Sequence, residues 1–90
     1  MGFVILLTKN ALKDQEIVLR NPILKKQVLN ILNTLKTNPF EISQSFETLK
    51  GNLKGYYSRR VDRCNRVVYS VDSITSEITI YSLLNHYDNI

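Results

Sequence analysis

The residues best suited to chemistry sit in the second half of the chain. Glu47, in Phe46-Glu47-Thr48-Leu49-Lys50, is a carboxylate near them, though as an isolated glutamate it would mean nothing. Cations are then threaded through Lys54-Gly55-Tyr56-Tyr57-Ser58-Arg59-Arg60-Val61 and Asn65-Arg66-Val67-Val68-Tyr69-Ser70-Val71. The only histidine, His86, stands between Asn85 and Tyr87. Clustered guanidinium and ammonium groups hold phosphate. An imidazole with an ordinary pKa of about 6.5 gives or takes a proton near neutrality. A carboxylate can accept one. Together these are parts for cutting a phosphodiester. Each residue alone has a plainer reading: an arginine at a strand end solvates a rim, a lone histidine is incidental, and Tyr56, Tyr57 and Tyr87 pack.

Other chemistries lack their signatures. There is no metal-ligand spacing, no glycine-rich phosphate loop and no nucleophile–histidine–acid pattern. The expectation is therefore a hydrolytic site that uses neither metal nor cofactor. Cys64 is the single cysteine, so no disulfide can form within the chain, and a reducing cytoplasmic setting is expected. The apolar start, Phe3-Val4-Ile5-Leu6-Leu7, is too brief to span a membrane and has no basic lead-in of a signal peptide. The net charge is +4, and Lys36, Lys50, Lys54, Arg59, Arg60, Arg63 and Arg66 carry most of the excess. Such a balance favours polyanionic partners.

The elements that must position these groups follow from pattern. At 90 residues the chain is expected to be one domain, residues 1–90, with a thin core. Phe3 to Leu7 reads as a buried strand. Ala11 to Arg20 reads as a helix capped by Thr8 or Asn10. Asn21-Pro22 opens a second helix, in which Leu24, Val28, Ile31, Leu32 and Leu35 recur at helical spacing. It ends before Thr37-Asn38-Pro39, because the residue before proline avoids helical geometry. Pro39 to Ser45 is a loop. Tyr56 to Val61, Arg66 to Val71 and Glu77 to Leu84 are strands, joined by turns at 62–65 and 72–76. The expected class is α+β: a small antiparallel β-sheet covered on one face by an N-terminal helical hairpin, in the order β-α-α-β-β-β.

Strand alternation constrains the arginines further. Arg59 and Arg60 cannot both point to one face. Arg66 shares its side with Val68 and Ser70, whereas Val67, Tyr69 and Val71 form the apolar side. The apolar side should meet the helices and leave Arg66 on the open face.

Over nearly its whole length the chain resembles the Txe/YoeB family of toxins from bacterial toxin–antitoxin pairs, within the wider RelE-like group. The likeness is carried by Asn38-Pro39-Phe40, by Phe46 through Arg60, by Asn65-Arg66-Val67-Val68-Tyr69 and by His86-Tyr87. The resemblance implies a RelE-like fold and an endoribonuclease that cleaves messenger RNA in the ribosomal A site. It also implies a cognate antitoxin that covers the site, and it admits a homodimer. By motif position the implied catalytic set is Glu47, Arg66, His86 and Tyr87. Lys50 and Arg59 or Arg60 would be supporting cations, with Lys54 beside them on the substrate.

The chain departs from the family twice. Asn65 stands where a histidine usually precedes the strand arginine, so an auxiliary proton carrier is missing there. Asp88-Asn89-Ile90 extends past Tyr87 and adds a carboxylate beside the implied site. Two rival readings differ in class. One is a gyrase-directed toxin of the ParE kind, which lacks the Glu, Arg and His-Tyr set; the other is a basic RNA- or ribosome-binding protein without catalysis.

Overall fold

The computed structural model describes residues 2–85. Its elements run β1 (Val4–Leu7), α1 (Lys9–Leu19), α2 (Pro22–Thr37), β2 (Glu47–Thr48), a 3-10 turn at Gly51–Leu53, β3 (Tyr57–Arg60), β4 (Arg66–Asp72) and β5 (Glu77–Asn85). The strands form one five-stranded sheet in the order β1-β5-β4-β3-β2. The helical hairpin followed by an antiparallel meander is as expected. Two features correct the expectation. The sheet is mixed, because β1 pairs with β5 in parallel. A fifth strand, β2, adds two residues against β3.

Local chemistry explains the helices. Thr8 caps α1, its Oγ1 accepting from the Ala11 amide at 3.2 Å. Asn10 instead donates its side-chain amide to the Tyr81 carbonyl at 3.0 Å. Asn21 caps α2, accepting from the Ile23 and Leu24 amides at 3.1 and 3.2 Å, with Pro22 in the first turn where its missing N–H costs nothing. Val28, Ile31 and Leu35 of α2 and Ala11 and Val18 of α1 are buried against Val67, Tyr69, Ile78 and Ile80 of the sheet. The apolar side of β4 therefore meets the helices.

The β4–β5 ladder slips twice, between Arg66 and Val68 and between Val68 and Tyr69. In each case β5 spends one residue more than β4, so its backbone groups are partly released from the sheet. The N-terminal part of α1 takes them up. Thr8 and Asn10 both donate to the Tyr81 carbonyl, and Asp14 Oδ2 accepts from the Leu83 and Leu84 amides at 3.0 and 3.3 Å. A buried amide without a partner costs about 1–3 kcal/mol, so these contacts hold the end of β5 in a defined course.

Core truncation and surface truncation should separate cleanly. Ile31→Ala, at a buried α2 position, is expected to cost about 2–5 kcal/mol. Ile23→Ala, on the exposed side of the same helix, should stay within about 0.5 kcal/mol. Urea midpoints of the two variants check this.

Candidate functional site

The site forms where β2, β3 and β4 run side by side. In register, Glu47 faces Ser58, Ser58 faces Val68, and Arg60 faces Arg66. Facing residues share a side of the sheet, so Glu47, Ser58, Arg60 and Arg66 all belong to the face opposite the helices. Arg66 Nε donates to Ser58 Oγ at 2.9 Å, and its Nη2 donates to the Ser45 carbonyl. The same Nη2 lies 3.6 Å from Glu47 Oε2. The Arg66 side chain is only 13% exposed, whereas that of Glu47 is 54% exposed. A guanidinium is thus fixed from two sides beside a carboxylate that remains open to solvent. An ion pair so exposed on one side contributes roughly 0–1 kcal/mol to stability.

Lys50, Lys54 and Tyr56 line an open recess that begins at Thr48 of β2, together with Leu49, Gly51, Gly55 and Tyr57. Both lysines are exposed. Tyr56 stacks on Tyr81 across the open face, with ring centroids 4.8 Å apart. Arg60 is exposed at the end of β3. The structure thus places Glu47, Arg60 and Arg66 on the open face, with Lys50 and Lys54 exposed on a recess just beyond β2. His86 and Tyr87 lie outside the described residues.

Arg59 is the exception, and the expectation that it supports substrate does not stand. It faces the helix side, opposite Val67, and is 0% exposed. Its Nε donates to Tyr69 Oη at 3.0 Å, Nη1 to the Ser43 carbonyl at 2.8 Å, and Nη2 to the Pro39 and Glu41 carbonyls at 3.0 and 2.7 Å. The Phe46 ring covers the guanidinium at 4.7 Å. Tyr69 Oη in turn donates to the Pro39 carbonyl at 2.7 Å. Phe46 stacks on Tyr57, and Phe40 meets Tyr57 edge-on. Alternation in β3 indicated that one of the two arginines faces inward. It could not indicate that three loop carbonyls and two aromatic groups wait there.

The loop so held carries Gln44 and Ser45 with φ of 54° and 53°. For non-glycine residues this left-handed region costs on the order of 1–3 kcal/mol each. The turn directs the Ser45 carbonyl to Arg66 and the chain onward through Phe46 to Glu47. Ser45 and Ser58 had no chemical pattern to mark them in the sequence; only the register exposes their role. Asn65 is occupied locally, its Nδ2 donating to Asp62 at 3.2 and 3.3 Å within the β3–β4 turn. Among the described residues no group of three His, Cys, Asp or Glu comes together to hold a metal, and no helix is long and apolar enough to cross a membrane.

Residues 7–87 match the profile of the YoeB-like toxin of bacterial type II toxin-antitoxin system. The chain belongs to this family. Over 64 residues it is 33% identical to Toxin YoeB of Synechocystis sp., covering 71% of this chain and 72% of that protein. The YoeB/ParE toxin from Agrobacterium tumefaciens has the same fold at a TM-score of 0.86, with 26% identity over 94% of this chain and 100% of the other. The Staphylococcus aureus YoeB, 33% identical over 94% of this chain and 98% of the relative, superposes at 0.81 in a heterotetrameric complex with YefM and at 0.82 as a dimer. In this chain the open face of the sheet carries the Glu47–Arg66 pair, and Arg59 points to the opposite side.

Tyr69 offers a test of the buried network by pH. Burial pushes its hydroxyl up to about 12, outweighing the downward pull of the Arg59 charge and hydrogen bond. The unfolded chain loses this proton near 10.0 and the folded chain near 12. Stability from this group is therefore complete below pH 10 and falls as pH rises toward 12, by about 1.4 kcal/mol per unit. Urea melts between pH 9 and pH 11 should show the decline, and Tyr69→Phe should remove it.

Proposed function

We propose that this chain is the toxin of a type II toxin–antitoxin pair and acts as a ribosome-dependent messenger-RNA endoribonuclease. The observation that carries the reading is the pairing of a solvent-accessible Glu47 with a doubly anchored Arg66 on the open sheet face. RNA supplies its own nucleophile, the 2′-hydroxyl. Glu47 removes that proton, and the hydroxyl oxygen attacks the adjacent phosphorus. Arg66 stabilises the negative charge that grows on the phosphoryl oxygens. His86 gives a proton to the departing 5′-oxygen, with Tyr87 beside it. The products are a 2′,3′-cyclic phosphate and a 5′-hydroxyl. These steps use only side chains of the protein and the substrate.

The energetics fit the arrangement. General acid and general base contribute about 10²–10⁴-fold each. A preorganised donor to developing charge contributes about 10²–10³-fold. Arg66 suits that task because Ser58 and the Ser45 carbonyl fix its orientation before substrate arrives, so little reorganisation is needed. Lys50, Lys54 and Arg60 hold flanking phosphates, and Tyr56 offers a ring for stacking a base. The Glu47–Arg66 pair favours this reading over a gyrase-directed toxin of the ParE kind, which needs no such pair. A cognate antitoxin with an acidic segment would cover the same cations, in line with the YefM-bound state of the Staphylococcus aureus relative.

Glu47→Gln is expected to lower single-turnover cleavage on programmed ribosomes by about 10²–10⁴-fold. Its melting temperature should barely move, because the ion pair is half exposed. RNA carrying a 2′-O-methyl group at the cut should remain intact, and its cleavage would exclude the mechanism. If the four open-face cations Lys50, Lys54, Arg60 and Arg66 each neutralise one phosphate, raising salt fourfold should weaken single-stranded RNA binding about 50-fold. Filter binding at 50 and 200 mM salt reads this slope.

A further inference from the structure

We infer that Arg59 is a positioning residue for the Glu47–Arg66 pair, acting through the 38–46 loop; this rests on the ribonuclease reading of that pair. Arg59 points to the side of the sheet away from Glu47 and Arg66. It instead gathers the carbonyls of Pro39, Glu41 and Ser43 onto one guanidinium and lies under the ring of Phe46. Those four residues span the segment that ends one residue before Glu47. Two main-chain bonds complete the closure: Phe46 N–H donates to the Ser43 carbonyl at 3.0 Å, and Arg60 N–H donates to the Gln44 carbonyl at 2.8 Å.

The consequence lies on the other side of the sheet. With the loop drawn in, Gln44 and Ser45 must turn through left-handed geometry. That turn aims the Ser45 carbonyl at Arg66 Nη2. It also launches β2, whose first residue is Glu47, into pairing with Ser58. Ser58 is the second anchor of Arg66. A lysine at position 59 keeps the charge but has one nitrogen where the guanidinium has three, so it cannot hold three carbonyls and a tyrosine hydroxyl in a planar fork. The loop would relax, and the Ser45 carbonyl and Glu47 would shift relative to Arg66. Misplacement by about 1 Å costs roughly 100-fold in rate.

A purely stabilising role makes a different forecast, and a rescue experiment separates the two. Arg59→Lys is compared with the same change combined with Gln44→Gly and Ser45→Gly. Glycine enters the left-handed region without steric cost, so it restores the turn but not the buried contacts. The expected result for Arg59→Lys is a single-turnover rate lower by about 100-fold and ribosome affinity within about threefold of wild type, since exposed cations dominate docking. The two glycines should recover at least about tenfold of the rate with no gain in melting temperature, because glycine also raises the entropy of the unfolded chain.

Amide hydrogen exchange supplies a readout independent of cleavage. In Arg59→Lys the Phe46 and Arg60 amides should exchange at least about tenfold faster, while the Tyr69–Ile80 region of the β4–β5 ladder keeps its protection. If Arg59→Lys does not fold, Tyr69→Phe, which deletes one hydroxyl of the network and keeps the ring, carries the same comparison. Cleavage unchanged within about threefold while both loop amides lose protection would overturn the inference, as would a rate that tracks melting temperature and ignores the glycines. Should wild type itself cleave no RNA, the ribonuclease reading falls. The exchange pattern then still decides whether Arg59 holds this loop: unaltered protection in Arg59→Lys overturns the inference, and local loss upholds the tether.

Discussion

The Arg59 guanidinium is fully buried, and its hydrogen bonds run to neutral acceptors. A buried ion with unmet hydrogen bonds would cost several kcal/mol. Here three carbonyl oxygens, a tyrosine hydroxyl and an aromatic face surround the guanidinium instead. The demand runs both ways. The carbonyls of a loop with little regular structure of its own find donors, and the charge finds acceptors. Because guanidinium donors are planar and directional, the acceptors are fixed in angle as well as distance. The open face on the far side inherits that order through the two-residue strand β2.

The molecule separates its packed core from its charged pair by side of the sheet. Helices α1 and α2 cover β1, β5 and β4, and the loop with its aromatic residues closes the same layer over β3. The opposite side is left with polar and cationic groups spread along three strands. Placing the Glu47–Arg66 pair there keeps it accessible without opening the core. Arg66 is itself mostly buried, and its two hydrogen bonds limit the freedom of its guanidinium. The family to which the chain belongs, the YoeB-like toxins of type II toxin-antitoxin systems, includes a relative solved in complex with YefM.

Much of this was legible in the sequence, for physical reasons that can be named. Helix α2 was bounded to within a residue because Asn21-Pro22 and Asn38-Pro39 leave the backbone few options. The inward side of β4 followed from Val67 and Tyr69. Alternation told that Arg59 and Arg60 part company, but not which faces inward, since both are strongly solvated in the unfolded chain. The parallel pairing of β1 with β5 had no local signal at all, because partners so distant in sequence are chosen by the packed whole. Strand β2 is two residues long and carries no periodicity. Glu47 stood out only through family likeness, and no pattern marked Asp14, whose partners are backbone amides of the slipped β5.

The β1–β5 contact has a further consequence for how such a molecule comes into being. Val4 lies against Glu77, so the sheet cannot be completed until the final strand has left the exit tunnel. Loop closure over that span slows folding more than it weakens the product. A nascent chain would therefore carry its helices and a half-built meander while still attached to the machinery that makes it. The completed sheet, and with it the open face, therefore arrives late in synthesis.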